Sequence, residues 1–567
     1  GLTGSIPECF SRMANLQTLA WQFSHIDGGF PTKALQNLTQ LQYLDFSFCG
    51  LDGTFPPDFD WNFPNLQHLK LEYNHLRGSM PPQMGQLPNL ELLHFGSNNL
   101  NGTIPEQLLQ GLAQYSTVTA LYLGGNALEG SISSSFCGIT RLQTLVLGPN
   151  SFKGSIPACF GRLEGLTNLD LGHNNLTGSI PPSLGRLINT ESLSLNNNEL
   201  SGHIPLEIGE LTKLQKLDFS TNSLEGIVPV YALNNLSDLL TLRLSQNNLS
   251  GKIESLDLSK LPNLQRFSIY GNALEGGLPA GLTESKALVL FDVQSNKYLN
   301  GSLGNTATPD IAGLSKLRVL SVSYNQLSGD IPGWVWKLPS LQALDLSNNR
   351  FSGRFPATLT HLSYFKLNQT SDRNQTTLYE EVPVTLKNTV YILNYVLSTR
   401  IYFDVSMNDL EGEIPESFGE LQGLTGANLS HNRISGTIPA GTFGRLTQLE
   451  ELDLSYNQLS GGIPQDLTSL DSLSTLNLAH NQLEGPIPTQ NHFNTRFTNV
   501  SYENNPGLCG YPLSSSCNTS IDDARSYLGM TSTSTGGPKQ QRLLIVIWYH
   551  EFVSPWALLV GYPAGLA

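Results

Sequence analysis

Basic residues are scarce in this sequence of 567 residues, and the shortage excludes one class of partner. There are 31 Lys and Arg residues against 46 Asp and Glu residues, which gives a formal net charge of -15 and a pI near 5.2. Binding to nucleic acid depends on clustered cations that neutralise phosphates. We therefore expect no nucleic-acid partner.

The sequence also lacks the motifs of metal centres and of common catalytic sites. Its six Cys residues include no C-x-x-C pair and no Cys/His grouping at the spacing of zinc ligands. The kinase motifs H-R-D and D-F-G are missing, as are the Walker A loop, H-E-x-x-H and G-x-S-x-G. We expect neither a cofactor nor an enzymatic activity.

What the sequence does contain is a repeat. The template L-x-x-L-x-L-x-x-N-x-L-x-G-x-I-P is seen in residues 142–157, 166–181, 341–356 and 449–464. Its Asn recurs mostly every 24 or 25 residues, and Ser24 and Cys49 hold the same place in two earlier repeats. The 18 repeats are interrupted once, by a gap of 59 residues between Asn349 and Asn408. The Asn residues are Asn74, Asn98, Asn126, Asn150, Asn174, Asn198, Asn222, Asn247, Asn272, Asn296, Asn325, Asn349, Asn408, Asn432, Asn457 and Asn481.

The template predicts the structure of each repeat. In L-x-L, alternation turns both Leu side chains into a core and the x side chains towards a concave face. The Asn amide can pair with backbone groups left over where the strand ends, so stacked repeats should form an Asn ladder. Gly allows the following bend, and Pro ends the next extended segment. We predict an α/β solenoid, a curved right-handed superhelical array with short parallel β-strands on its concave face.

The L-x-G-x-I-P element resembles the plant-specific class of leucine-rich repeats, and the order of segments is similar to that of plant receptor-like proteins. The resemblance covers about residues 1 to 490. It implies leucine-rich repeats at 1–366, an island insertion at 367–397, four further repeats at 398–488 and a C-terminal cap at 489–517. The first residues begin inside a repeat, so we expect an N-terminally truncated array.

The resemblance implies a function in recognition at the cell surface. A receptor-like protein of this kind would bind an extracellular peptide, glycan or protein ligand and signal through a partner receptor kinase, because it has no kinase of its own. Two alternatives are a secreted inhibitor of a cell-wall-degrading enzyme and the ectodomain fragment of a receptor kinase. The implied location is the plasma membrane, with the N-terminal ectodomain outside, or the cell wall for a secreted form.

The C-terminal residues give two further expectations. Residues 518–542 resemble the acidic, polar linker before a membrane anchor. Residues 543–567 are either a transmembrane anchor or a degenerate end, because Glu551 lies near the middle of an otherwise apolar stretch that Pro555 and Pro563 interrupt.

The cap should be closed by buried aromatic residues and a disulfide. We expect Phe493, Phe497 and Tyr502 to cover the last Leu face, and Cys509 and Cys517 to be bonded. Cys9 and Cys159 share one place in the template, where a small buried side chain is the simpler interpretation.

Eleven N-x-[ST] sequons favour a secreted route and are candidate glycosylation sites, although chance explains some in a chain rich in Asn, Ser and Thr. They lie at Asn37, Asn101, Asn175, Asn235, Asn248, Asn300, Asn368, Asn374, Asn428, Asn499 and Asn518.

Candidate binding residues are large or charged side chains at positions where the core does not need them. Our first choice for the ligand site is the concave face beside the island, with Tyr324, Tyr379, Tyr391, Tyr270, Arg243 and Arg266, and with Lys387 nearby. Our second choice is an N-terminal aromatic patch of Phe23, Phe48, Tyr73, Tyr43, Lys70 and Tyr122, flanked by His68 and His94. For each group an ordinary solvated face is the alternative.

The four repeats after the island are implied to contact the co-receptor kinase. The residues directly before the Asn of the template, His431, Tyr456 and His480, should line up on one lateral edge. Receptors that hold the free C-terminus of a peptide often use an Arg-x-Arg pair, which this sequence lacks. Peptides docked through backbone hydrogen bonds and aromatic pockets remain compatible with it.

Overall fold

The computed structural model describes residues 3–304, 313–359, 361–366 and 401–517. Between residues 366 and 401 it describes only two strands, Pro383–Leu386 and Thr389–Ile392, which pair antiparallel. Tyr379, Lys387 and the whole of residues 518–567 lie outside the described residues, and Tyr391 is described by its backbone alone.

Eighteen parallel strands form the main sheet, one for each repeat of the template. Each strand is three residues long and ends one residue before the second Leu of L-x-L. Neighbouring strands pair in register through their central residues, as in Leu44 with Leu69. The strands are Thr18–Ala20, Tyr43–Asp45, His68–Lys70, Leu92–His94, Ala120–Tyr122, Thr144–Val146, Asn168–Asp170, Ser192–Ser194, Lys216–Asp218, Thr241–Arg243, Arg266–Ser268, Leu290–Asp292, Val319–Ser321, Ala343–Asp345, Tyr402–Asp404, Gly426–Asn428, Glu451–Asp453 and Thr475–Asn477.

A second set of strands follows the Asn of most repeats, where the template reads x-L-x-G. Thirteen of them form one parallel sheet before the insertion and five form another after it. The first sheet contains Asp52–Thr54, His75–Gly78, Asn99–Gly102, Ala127–Ser131, Ser151–Gly154, Asn175–Gly178, Glu199–Gly202, Ser223–Ile227, Asn248–Lys252, Asn272–Gly276, Asn296–Gly301, Gln326–Asp330 and Arg350–Ser352. The second contains Glu411–Gly412, Arg433–Thr437, Gln458–Gly461, Gln482–Pro486 and Gly507–Cys509, and a separate pair is formed by Thr3–Gly4 and His25–Ile26.

Short helical turns close each coil on the side away from the main sheet. The described 3-10 turns are Glu8–Arg12, Pro82–Gln86, Ser134–Gly138, Ala158–Arg162, Pro182–Arg186, Leu206–Glu210, Leu258–Lys260, Leu282–Glu284, Val335–Lys337, Tyr364–Lys366, Glu416–Glu420, Phe443–Arg445, Gln465–Ser469, Gln490–His492 and Asn499–Ser501. The α-helices are Thr32–Leu35, Glu106–Tyr115, Val230–Leu233 and Phe493–Arg496. The ten-residue helix lies in the long repeat between Asn98 and Asn126, and it buries Leu108, Leu109 and Leu112.

The Leu side chains of the template fill one continuous core along the coils. Leu169, Leu171 and Leu176 of one repeat are fully buried, and the same places in other repeats are taken by Phe or Ile. Burial of large apolar side chains is the main stabilising term here, and every coil shares its core with both neighbours. The fold is therefore the α/β leucine-rich-repeat solenoid that the template predicts.

The Asn ladder has the expected hydrogen bonds. The amide of Asn174 donates to the carbonyl oxygens of Leu171 and Gly172 at 3.1 and 3.2 Å, and its oxygen accepts the Phe152 N–H at 3.0 Å. The ladder crosses the insertion, because Asn408 accepts the Phe351 N–H at 2.9 Å and donates to the Leu346 carbonyl at 3.0 Å. A further member, Asn505, continues the ladder into the cap.

Removing one ladder amide should lower stability measurably. We expect Asn174→Leu to lower the free energy of unfolding by about 1–3 kcal/mol, because the Phe152 N–H and two carbonyls would be left buried without partners. The control is Asn168→Leu, at a half-buried strand position of the same repeat. Urea unfolding of both variants is the measurement, and an unchanged midpoint for Asn174→Leu would contradict the role of the ladder.

The cap closes the last coil as expected. Phe493 and Tyr502 are buried, Phe497 is 7% exposed, and the rings of Phe493 and Phe497 meet edge to face at 5.3 Å. Cys509 and Cys517 form a disulfide with a Cα–Cα distance of 5.0 Å.

The expectation for the other cysteines was wrong. Cys159 is bonded to Cys137, with a Cα–Cα distance of 5.9 Å, and Cys9 is exposed rather than buried. The bond joins the turns Ser134–Gly138 and Ala158–Arg162 of neighbouring coils. The signal in the sequence was the separation of Cys137 and Cys159 by 22 residues, which is close to the length of one repeat. A comparison of the places that cysteines hold in the template does not show this spacing.

Candidate ligand-binding and partner-binding surfaces

In most coils the residue directly before the ladder residue has a left-handed backbone, and these residues together form what we call the rim row; Pro149, before Asn150, is not among them. Their φ angles are between 51° and 57° for the non-glycine members, which include Phe48, Tyr324, Met407 and His431. A bulky side chain in this conformation is costly, and such strain concentrates at functional sites. Large side chains in the rim row that the scaffold does not need are therefore candidates for a binding function.

Three aromatic residues of the rim row form an N-terminal column. Phe23 and Phe48 stack at 4.7 Å between ring centroids, and Phe48 and Tyr73 at 4.2 Å. All three rings are exposed. They follow the strands in the turn before the ladder residue, so they line the edge of the concave face.

The remaining members of the N-terminal patch lie on the strands themselves. The Lys70 ammonium is 5.5 Å from the ring centroid of Tyr43, whose hydroxyl donates to Asp45 at 2.9 Å. Tyr122 lies farther along, with its ring centroid 4.6 Å from that of His94. The patch is thus two neighbouring groups, an exposed apolar edge and a polar strand face.

A second column of the rim row lies in the repeats after the insertion. The His431 and Tyr456 rings stack at 4.1 Å, and the Tyr456 and His480 rings at 3.9 Å, with 12° between the planes in both pairs. Burial lowers the pKa of His431, the nearby charge of Asp453 opposes that shift, and His480 adds to it. The alignment on one edge is as the spacing predicted.

A groove joins this column to the candidate ligand residues. It has a volume of about 620 Å³. It extends from Tyr324 across the coils after the insertion to the cap. The structure therefore brings Tyr324 and His431 into one site, together with a residue that the sequence did not indicate, Met407. The lining residues are Tyr324, Ser347, Asn348, Asp404, Ser406, Met407, Asn428, Ser430, His431, Asp453, Thr475, Leu476, Asn477, Thr498, Val500 and Ser501.

The arginines and Tyr270 lie on earlier coils than the groove. Arg243 lies 3.5 Å from the buried carboxylate of Asp218, and Arg266 and Tyr270 follow on the next repeat. The main-sheet strands Leu290–Asp292, Val319–Ser321, Ala343–Asp345 and Tyr402–Asp404 contain no Lys or Arg, and three of them end in Asp, so positive charge does not continue along these strands past Arg266.

Five aspartates at the last place of their main-sheet strand are buried, and three of them have a raised pKa. Burial raises the pKa of Asp292 to about 7. Burial and the neighbouring charge of Asp345 raise the pKa of Asp404 to about 8, and burial raises the pKa of Asp345 as well. The strands of Asp345 and Asp404 pair directly, so their carboxyl groups are neighbours.

Most candidate glycosylation sites lie at exposed positions, namely Asn37, Asn101, Asn175, Asn235, Asn248, Asn300 and Asn499. Asn428 differs, because its half-buried amide donates to Asp404 at 3.2 Å and to Ser406 at 3.1 Å on the strand face. These contacts oppose modification of Asn428. Asn368, Asn374 and Asn518 lie outside the described residues.

Among the described residues, no helix has the length and apolar character needed to cross a membrane. The candidate anchor at 543–567 lies outside them.

Family models and curated proteins match the repeats. Models described as leucine-rich repeat match residues 116–176, 310–351 and 428–483, and a second set matches residues 40–61, 65–87 and 189–211. Receptor-like protein 32 of Arabidopsis thaliana is 32% identical over 200 residues, which is 35% of this chain and 22% of that protein. Receptor-like protein 36 of the same plant is 40% identical over 110 residues, 19% of this chain and 15% of that protein. The matched regions thus span about a fifth of these relatives.

Solved ectodomains of plant receptors share the fold over most of the chain. The plant peptide hormone receptor RGFR1 in complex with RGF2 has a TM-score of 0.71 and 28% identity, and the match covers 89% of this chain and 77% of that one. The complex PEPR1-AtPEP1 has a TM-score of 0.67 and 28% identity, with 90% and 72% covered. The Arabidopsis receptor kinase HAESA, in complex with the peptide hormone IDA and the co-receptor SERK1, has a TM-score of 0.54 and 29% identity, with 88% and 92% covered.

The repeat template, the eighteen coils and these relatives lead to one assignment. The chain is a leucine-rich-repeat solenoid, and its repeats are similar to those of plant receptor-like proteins and of plant receptor ectodomains.

Proposed function

We propose that this chain is the recognition part of a cell-surface receptor that binds an extracellular peptide in the groove and signals through a separate receptor kinase. The observation that carries the proposal is the groove itself, which places Tyr324 in one site with residues of the repeats after the insertion. Its length suits a peptide. Six coils contribute to it, and at about 4.8 Å between strands it is about 24 Å long, the length of about seven extended residues.

The side chains of the groove favour a peptide over a small compact ligand. Tyr324 and Met407 offer apolar surface, while Thr475, Thr498 and Ser501, which are half-buried or exposed, offer hydroxyl groups farther along the groove. Extended peptides are recognised by this combination of polar contacts to the backbone and pockets for side chains. The similar solved ectodomains include complexes with peptide hormones, which supports the same ligand class.

Tyr324 and Met407 should be binding anchors. We expect Tyr324→Ala and Met407→Ala each to weaken peptide binding by up to about thirtyfold, because truncating an interface anchor costs about 2 kcal/mol. The probe is a random nonapeptide mixture passed over the immobilised secreted chain, with retained peptides identified by mass spectrometry and then titrated singly.

The control is Tyr73→Ala, in the N-terminal column and in the same backbone conformation as Tyr324. Loss of binding in Tyr73→Ala, with full binding in the other two variants, would move the ligand site to the N-terminal patch. That patch is our second candidate, because its stacked and exposed rings have no role in the core.

The partner kinase is proposed to contact the column of His431, Tyr456 and His480. The column is on the edge of the repeats next to the cap, and His431 also lines the groove. A peptide in the groove would then lie beside the partner, which explains how the ligand could promote association. The ring column also spares the partner a large ordering cost, because stacked aromatic side chains are rigid.

A further inference from the structure

The groove has an acidic side, which is formed by carboxyl groups at the ends of strands. Asp404 and Asp453 line the groove, and Asp345 lies on the strand paired with that of Asp404. Each carboxyl group accepts a hydrogen bond from the backbone N–H of the residue two places later in the sequence. The Ser347, Ser406 and Ser455 N–H groups donate to the aspartates at 3.1, 2.9 and 2.9 Å.

The second oxygen of each carboxyl group accepts at most one hydrogen bond from the described part of the chain. Oδ2 of Asp404 and of Asp453 accepts one amide hydrogen bond each, from Asn428 and Asn477, both at 3.2 Å. Oδ2 of Asp345 is buried and accepts no hydrogen bond from the described part of the chain. A buried carboxyl oxygen that accepts no hydrogen bond lowers stability. A ligand group that donates a hydrogen bond to it would therefore bind favourably.

Among the described residues, the lining contains no Lys and no Arg, and His431 is the single one that can carry a positive charge. The groups that face Asp404 from its two neighbouring strands and from its own turn are Asp345, Asn428 and Ser406. Burial and Asp345 raise the pKa of Asp404, which is the behaviour of a carboxyl group without a nearby cation. A cation at hydrogen-bond distance would favour the ionised form, and binding would release a proton.

Resting on the proposed peptide-binding function, we propose that the ligand carries a cationic side chain, Arg or Lys, which is received by Asp404 and Asp453. Charge complementarity selects this occupant, because the groove offers carboxyl groups, of which Asp404 ionises as the cation binds, and no competing cation in its described lining. Tyr324 and Met407 then hold the apolar neighbours of the cationic residue. A guanidinium is the best match, since it donates to two carboxylates in fixed directions.

The test uses positional nonapeptide mixtures in which one place is fixed as Arg, as citrulline or as Glu. Citrulline has nearly the shape of Arg without its charge. We expect one place at which the Arg mixture is retained about tenfold better than the citrulline mixture, with Glu the weakest. Asp404→Asn and Asp453→Asn should each reduce that preference to about threefold or less, since one charge of the receiving pair is removed.

The matched control is Asp170→Asn, which leaves the preference for Arg intact. Asp170 holds the same place in its strand, accepts the Gly172 N–H at 2.9 Å, and has a pKa raised by burial, but it lies outside the groove. Circular dichroism melting checks that each variant is folded. If Asp404→Asn does not fold, Asp453→Asn alone tests the proposal.

The outcomes separate this proposal from the peptide-binding function. If the parent chain retains peptides without a preference for Arg, and Tyr324→Ala no longer retains them, the peptide site stands and the proposal of a cationic ligand is wrong. A preference for Arg that survives both Asp404→Asn and Asp453→Asn also overturns it. If the parent chain retains no mixture, both proposals are wrong.

Discussion

The Asp404→Asn variant should be more stable than the parent chain, by a margin that grows from pH 5.5 to pH 7.5. In the folded chain, burial and Asp345 raise the pKa of Asp404 to about 8, and burial raises the pKa of Asp292 to about 7. In the unfolded chain both carboxyl groups ionise near a pH of about 4. Between these values the folded state holds protons that the unfolded state has lost.

The sign of the effect follows from that difference in bound protons. Stability is full below a pH of about 4 and falls as the pH rises towards the folded pKa, by at most about 1.4 kcal/mol per pH unit for each retained proton. From pH 5.5 to 7.5 the two groups together should cost the parent on the order of 3 kcal/mol. Asn resembles the protonated carboxyl group of Asp404 but does not ionise. The variant therefore lacks the part of the stability loss that Asp404 causes as the pH rises.

Thermal unfolding of the parent, Asp404→Asn and Asp292→Asn at the two pH values is the measurement. A parent that is equally stable at both, or an Asp404→Asn variant with the same pH dependence as the parent, would contradict the account. The control Asp466→Asn is on the opposite side of the coil, where Asp466 accepts the Gly444 N–H at 2.9 Å, and it should leave the pH dependence unchanged.

Replacing His431, Tyr456 and His480 together by Ala should abolish ligand-dependent association with the partner kinase, and because His431 also lines the groove, peptide binding is titrated in the same variant. The three rings form one stacked column, so single replacements would leave part of the surface in place. Truncation of clustered aromatic anchors typically costs about 2 kcal/mol or more for each hot-spot residue. The measurement is co-precipitation of the kinase with and without the selected peptide.

The control for this experiment is the triple replacement of His173, Asn197 and Thr221 by Ala. These residues are in the rim row of three successive coils before the insertion and have the same left-handed backbone, so the strain of Ala is matched. If the control variant loses the kinase and the column variant keeps it, the partner surface lies elsewhere on the rim.

Much of the fold could be predicted because one local rule repeats. The spacing of Leu and Asn residues predicts the strands, the side that faces the core and the ladder. Every coil must pair the backbone groups of its turn and cover the apolar face of its neighbour, so the same residues recur. The insertion did not disturb this rule, as Asn408 bonds to Phe351 across it. The number of coils and the closure of the cap by Tyr502 follow from the sequence in the same way.

The site was less predictable, because its properties arise between coils. The left-handed rim, the stacking of His431 on Tyr456 and the coupling of Asp345 to Asp404 depend on which residues become neighbours after stacking. Asp404 and Met407 were missed for a further reason. Each holds an ordinary variable place in the template, and only the groove gives it a role.

Hydrogen–deuterium exchange of the secreted chain, with and without the peptide selected from the nonapeptide mixture, tests the central claim most directly. Backbone amides in and after the strands Tyr402–Asp404 and Gly426–Asn428 flank the groove and are within reach of a bound peptide. We predict that peptide slows exchange in residues 402–407 and 426–431 and leaves residues 43–48 and 68–73 unchanged. Slower exchange at 43–48 and 68–73, with none in the repeats after the insertion, would contradict the assignment of the ligand site to the groove.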